Sequence, residues 1–147
     1  MNSPPIKPST RRKRGVVAVI FRDAKLLIIR RSMTVTAPGK LCLPGGGIEI
    51  GESEEQALVR EMEEELAIDV TPIGLCYRSV TSWGTNLAWW HANLDSGKSP
   101  VANPDEVAEV FWMSRDEIRH ARDLLPSLPP FLEAWERGDI DLGCDWC

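Results

Sequence analysis

Between positions 44 and 66 the chain passes from Pro44 through three consecutive glycines, Gly45, Gly46 and Gly47, into a stretch that carries its own helix-start signal. Ser53 followed three residues later by Gln56 is a capping box, in which the two side chains satisfy backbone N–H groups that a helix leaves unpaired at its start. The spacing predicts a helix from there to about Leu66. Leu58, Val59, Met62 and Leu66 then form one apolar stripe about 100° wide. Glu61, Glu64 and Glu65 lie on a different side, related by i,i+3 and i,i+4 steps, so that three carboxylates converge on one patch. Ala57, one turn earlier on that face, leaves room beside them.

An acidic helix face is ordinarily a solvated one. Here no Lys or Arg stands four residues after any of these glutamates within the helix, so a repulsion of about 0.2–0.5 kcal/mol per pair lacks the usual local offset. Carboxylates near a helix C-terminus also oppose the macrodipole. A sequence that tolerates both costs invites a cation, and hard oxygen ligands select Mg²⁺, Mn²⁺ or Ca²⁺ over zinc. The glycine run supplies the complement, because backbone without side chains approaches a ligand closely and its carbonyls are free to join a metal shell.

The rest of the chain frames this segment. Residues 1–14, rich in Pro and Ser and ending in Arg11-Arg12-Lys13-Arg14, read as a flexible basic arm; 15–138 read as one domain and 139–147 as a tail. Apolar runs at 16–21 and 26–29, joined by a turn at Asp23-Ala24, predict a hairpin buried on both faces. Further strands are expected at 41–43, 73–81, 86–94 and 107–113. Ser114 with Glu117 repeats the capping box, and a last helix is expected from about Pro129 to Arg137 with Gly138 as its stop. Strands interspersed with three helices give an α/β class, a mixed sheet packed between helices.

Composition narrows the function. An excess of 22 acidic over 17 basic residues, a formal charge of -5, argues against nucleic-acid coating. The longest clean apolar run is too short to span a membrane or to form a signal-peptide core, so a cytoplasmic protein is expected. Cys42, Cys76, Cys144 and Cys147 lack the spacing of a disulfide scaffold and read as reduced thiols. The terminal Cys144-Asp145-Trp146-Cys147 has the spacing of half a zinc site, and nothing in the sequence brings two further ligands to it, so an incidental tail is expected.

Gly46, five residues, Glu52, seven residues, then Arg60-Glu61-Met62-Glu63-Glu64-Glu65-Leu66-Ala67-Ile68 resembles the Nudix box, the signature of Nudix hydrolases such as MutT. One position departs: Ala67 stands where the family usually has Gly, which puts the turn after the helix in question. The resemblance implies the Nudix fold, with the mixed sheet between helices, and Mg²⁺-dependent hydrolysis of a nucleoside diphosphate linked to another group, with Mn²⁺ as the substitute cation. By that likeness Glu61, Glu64, Glu65 and the Gly46 carbonyl would hold the metal, whose bound water becomes a better nucleophile. Arg60 and Glu52 would brace the site by pairing with carboxylates and backbone.

Outside the box the reading is thinner. Arg30 and Arg31 end the second strand where MutT-like proteins use an arginine on substrate phosphate, a task for a bidentate donor. Glu106 and Glu109 are candidates for a general base. Alternation puts Leu87, Trp89, His91 and Asn93 on one strand face and Ala88, Trp90, Ala92 and Leu94 on the core face. Trp89 and Trp83 are the candidates to stack a base, although packing is the more ordinary use of an aromatic. The segment before the last helix has no Asn of the kind shared by family members that sanitise oxidised guanine nucleotides. No match to the extra motifs of coenzyme A, NADH or ADP-ribose hydrolases is present. A small nucleotide or related diphosphate is thus the expected partner, a homodimer is left open, and a Nudix-like sensor that binds without cleaving is the rival reading.

Overall fold

The computed structural model describes residues 13–140 and residue 142. Eight strands and three helices follow in the order β1 (Arg14–Val19), β2 (Phe21–Arg22), β3 (Lys25–Arg31), β4 (Leu41–Cys42), β5 (Gly45–Gly47), α1 (Glu54–Leu66), β6 (Val70–Val80), β7 (Asn86–Leu94), β8 (Val107–Met113), α2 (Arg115–His120) and α3 (Leu128–Glu136). The terminal Cys144 and Cys147 and most of the basic arm lie outside the described residues. Lys13 and Arg14 lie inside them, and Arg14 already opens β1.

The strands form two sheets rather than one. The first has the order β5-β1-β7-β6, with β1 parallel to β7 and the other pairs antiparallel. The second has β3 at its centre, paired with β2 and β4 and also with β8. The expected hairpin between 16–21 and 26–29 is therefore corrected. From this segment the pairing with β3 is limited to Phe21 and Arg22, with the Leu27 N–H also donating to the Ile20 carbonyl at 2.9 Å, across a turn in which Asp23 and Ala24 both take positive φ, the geometry of a two-residue hairpin turn. The chain leaves the first sheet at Ile20 and enters the second, so one apolar run serves both.

Burial on both faces is observed, and it explains why these strands read as continuous apolar runs. Val16, Ala18 and Ile20 face one core with Leu27 and Ile29, while Val17 and Val19 face a second core with Leu26 and Ile28. Helix α1 closes the first core through Ala57, Leu58, Met62 and Leu66. Ile118 of α2 and Leu128, Phe131 and Ala134 of α3 close the second, so the strands lie between helices. Ile140 and Leu142 also pack into the second core, which ties down the start of the tail. Among the described residues no helix is long and apolar enough to cross a membrane.

Both capping boxes form with reciprocal bonds, Ser53 with Gln56 and Ser114 with Glu117. Strand β6 begins three residues before the expected start and contains Pro72. Among the described residues its one strand partner is β7, and an edge strand tolerates a residue without N–H.

At the end of α1, Ala67 takes the left-handed conformation that the sequence put in question, with φ +53°. Its N–H donates to the Glu63 carbonyl at 3.0 Å and the Ile68 N–H donates to Met62 at 3.4 Å, while Ile68 is buried. The Ala67 bond is the 5→1 bond of an αL cap, built here on a residue with a Cβ. A non-glycine residue in that conformation costs on the order of 1 kcal/mol. Ala67→Gly is accordingly expected to raise the melting temperature by about 2–4 °C and leave activity unchanged, as thermal unfolding and steady-state kinetics would show.

Candidate active site

The face of α1 that turns inward is not purely apolar. Glu61 and Glu65 are buried beside Met62 and Leu66. A buried carboxylate needs donors, and two sources supply them. The Gly45 N–H donates to Glu65 Oε1 at 3.0 Å, and Arg60 Nη1 donates to Glu61 Oε1 at 2.9 Å.

Arg60 uses all five of its N–H donors. Nε and Nη2 grip the two Glu52 oxygens at 2.6 and 2.9 Å, Nη1 reaches Glu61 and, at 3.1 Å, Glu64, and Nη2 also donates to the Gly47 carbonyl at 2.8 Å. The guanidinium holds the Glu52 carboxyl far below its ordinary range, at about 2. Glu52 in turn accepts from the Glu49 N–H at 3.0 Å, which fixes the loop between β5 and α1. Arg60 stands four residues before Glu64, not after it, and so provides the local offset that the sequence pattern lacked.

Strand β5, which glycine's weak strand preference concealed in the sequence, lies between β1 and α1. A Cβ on Gly45 would sit 2.0 Å from the Val16 carbonyl oxygen, and one on Gly46 would sit 2.3 Å from the Glu61 carboxyl carbon. The glycines let α1 bring its carboxylates against the sheet.

A third carboxylate arrives from a remote segment. Carboxylate oxygens of Glu61, Glu65 and Glu106 lie within 4.8 Å of one another. Asn103 carries the loop that delivers Glu106: its N–H and Nδ2 donate to the Glu65 and Glu64 carbonyls at 2.8 and 3.2 Å, and the Val101 N–H donates to Leu66 at 2.8 Å. These donors satisfy carbonyls that the last turn of α1 leaves open. No spacing rule links position 106 to the helix.

Burial pushes the Glu65 carboxyl up to about 8, with the Glu61 charge adding to the effect, and burial also raises Glu61. Glu64 is the outlying member, its side chain 49% exposed and held by Arg60. The raised proton affinity of Glu61 and Glu65 fits a hard divalent cation, since a cation supplies the positive charge that this buried pair lacks.

Beside the cluster opens a cavity of about 700 Å³, walled by Gly45, Gly46 and Gly47 and by residues of β1, β3 and β7. Lys13, Arg14, Arg31 and Lys40 line it, a concentration of positive charge in an acidic protein. Arg31 is anchored by the Thr36 carbonyl and hydroxyl, at 2.7 and 3.1 Å. Arg30 does not line the cavity. It pairs with Glu109 at 3.1 Å across the β3–β8 ladder and donates to the Gly39 carbonyl. A register shift between Arg30 and Arg31 separates the two arginines. Glu109 is thus engaged away from the carboxylate cluster, whereas Glu106 joins it. Trp89 is fully buried, stacked on Phe131 at 4.4 Å, and its indole N–H donates to Ser79. The face carrying Trp89 is therefore as much a core face as the one with Ala88 and Ala92.

Comparison with known proteins agrees with this geometry. The NUDIX domain model matches residues 11–135. The CTP pyrophosphohydrolase of Escherichia coli is 33% identical over 123 residues, covering 82% of this chain and 88% of that protein. The NAD-capped RNA hydrolase of Pseudomonas aeruginosa is 30% identical, over 71% of this chain but only 37% of its own length. Among solved structures, the MutT protein of Methanosarcina mazei superposes with a TM-score of 0.74 at 23% identity, covering 86% of this chain and 94% of that one. The Escherichia coli ORF135 protein superposes with a TM-score of 0.67 at 28% identity, covering 90% and 94%. The box at 46–68 lies within the matched residues, and the chain belongs to the Nudix family as an enzyme of the pyrophosphohydrolase type.

Proposed function

We propose that the enzyme hydrolyses a phosphoanhydride bond of a nucleoside triphosphate or related nucleoside diphosphate derivative, with Mg²⁺ as the cation. The observation that carries this reading is the Glu61, Glu65 and Glu106 cluster, joined through the Gly45 N–H to Glu65 bond to the glycine strand that walls a cation-lined cavity. Glu61 and Glu65 would hold the metal, with Glu64 and the Gly46 carbonyl completing the set that the resemblance implies. A divalent cation there would neutralise phosphate charge and make water more acidic.

The chain's own residues supply the rest. Arg31, fixed by Thr36, presents its guanidinium to the phosphate chain. Arg60 and Glu52 hold the carboxylates and the glycine strand in one geometry, so that little reorganisation accompanies reaction. Water attacks phosphorus, its oxygen bonds to that atom as the anhydride oxygen departs, and Glu106 accepts the released proton. A nucleoside triphosphate would yield a nucleoside monophosphate and pyrophosphate. The similarity to a CTP pyrophosphohydrolase favours that substrate class.

A panel of nucleoside triphosphates, nucleotide sugars, dinucleoside polyphosphates and ADP-ribose, followed by phosphate and pyrophosphate release with Mg²⁺, tests this reading. Turnover that is concentrated on nucleoside triphosphates and abolished by chelator is the expected result. Tight binding across the panel without turnover would instead establish a sensor.

A further inference from the structure

We propose that Trp83, in the turn between β6 and β7, is the platform on which the substrate's base stacks, and so is a specificity-determining residue of this enzyme. The inference rests on the nucleotide reading of the cavity and adds to it a requirement for an aromatic base.

Trp83 differs in its surroundings from the other described tryptophans. Trp89 stacks on Phe131, Trp90 donates its indole N–H to Glu54, Trp112 lies under the Arg22 guanidinium at 4.8 Å, and Trp135 packs edge-on to Phe21 and Phe131. Each of these serves the fold. Trp83 is 56% exposed, lines the cavity, and among the described residues has no ring or cation partner.

The turn that presents it is well built. The Thr81 N–H donates to the Thr85 carbonyl at 2.9 Å, the Thr85 N–H donates back to the Thr81 hydroxyl at 2.9 Å, and the Gly84 N–H donates to the Thr81 carbonyl at 3.0 Å. Gly84 has φ +88°, a conformation that glycine takes without strain. An exposed indole on a braced turn at the wall of a cavity leaves an aromatic face open to a ligand in that cavity. A nucleobase has the flat π-face that fits it, and stacking tolerates more than one base. The cations Arg31 and Lys40 line the same cavity and suit the phosphates of that ligand.

The test is equilibrium binding by calorimetry in Mg²⁺ buffer, with full-length wild type, Trp83→Ala and Trp83→Phe. The probes are the non-hydrolysable α,β-methylene analogue of CTP and ribose 5-triphosphate, which has no base. Trp83→Ala is expected to weaken the nucleotide analogue by about tenfold, with Trp83→Phe within about twofold of wild type. The base-free triphosphate should bind all three proteins alike. In steady state the alanine variant should raise KM and leave kcat within about twofold. Equal nucleotide affinity in wild type and Trp83→Ala, or an equal loss with the base-free probe, would overturn the proposal. If the expected binding pattern came without turnover by the wild type, stacking would stand and the hydrolytic reading would fall.

Discussion

Replacing Glu65 by Gln is expected to lower turnover by at least about two orders of magnitude, each tenfold loss corresponding to about 1.4 kcal/mol of transition-state stabilisation. The same change should stabilise the protein when metal is withheld. Glutamine keeps the shape and the oxygen that accepts the Gly45 N–H, and it removes a charge that burial and Glu61 both disfavour. The sign follows from linkage. In the unfolded chain this carboxyl ionises near 4.5, whereas in the fold it keeps its proton to about 8. Its contribution to stability is therefore full below pH 4.5 and is lost as pH rises through about 8. Denaturant titrations with chelator should show wild type losing stability across that window, Glu65→Gln losing less, and added Mg²⁺ restoring the wild type at the alkaline end. Glu63→Gln is the control, since this exposed residue lies outside the carboxylate cluster. Equal, mild kinetic effects at 63 and 65 would contradict the metal-site reading.

Much of this site was legible because helical periodicity is a strong signal. The 3.6-residue repeat places Glu61 and Glu65 together from spacing alone, and the capping box at Ser53 fixes where the repeat starts. The repeat does not say that the shared face turns inward. That depends on β5, and three glycines have no strand propensity with which to announce a strand. Nor does local pattern show that the run at 16–21 changes sheets at Ile20, because both of its destinations are buried and demand the same residue types. Glu106 was in view as an acidic residue before a strand. Its partnership with Glu61 and Glu65 depends on the Asn103 loop closing onto the end of α1, a contact between segments far apart in sequence. Arg30 and Arg31 look equivalent as neighbours at a strand end. One pairs with Glu109 across the ladder and the other lines the cavity, and which of the two does which depends on the neighbouring strands.

The glycine strand gives the second large effect, and there the outcome divides by position. In Gly45→Ala the new Cβ would stand 2.0 Å from the Val16 carbonyl oxygen and 3.0 Å from two further backbone atoms of β1. Backbone cannot yield as a side chain does, so the β1–β5 pairing must open. A loss of about 3 kcal/mol, the upper range for overpacking, should lower the melting temperature by about 6–12 °C. In Gly46→Ala the obstacle is the end of the Glu61 side chain, whose carboxyl atoms stand 2.3–2.6 Å from the new Cβ. That carboxylate is able to swing aside, so the fold should survive with a melting temperature within a few degrees of wild type. Its displacement takes Glu61 away from Arg60 and from the carboxylate cluster, and kcat should fall by about a hundredfold. Gly47→Ala meets nothing within 4 Å and should leave both properties unchanged. Melting curves and kcat for the three variants side by side separate a strand that must pair closely from a carboxylate that must stay in place. If Gly46→Ala retained full activity, Glu61 would not need the position it occupies here, and its assignment to the metal would fail.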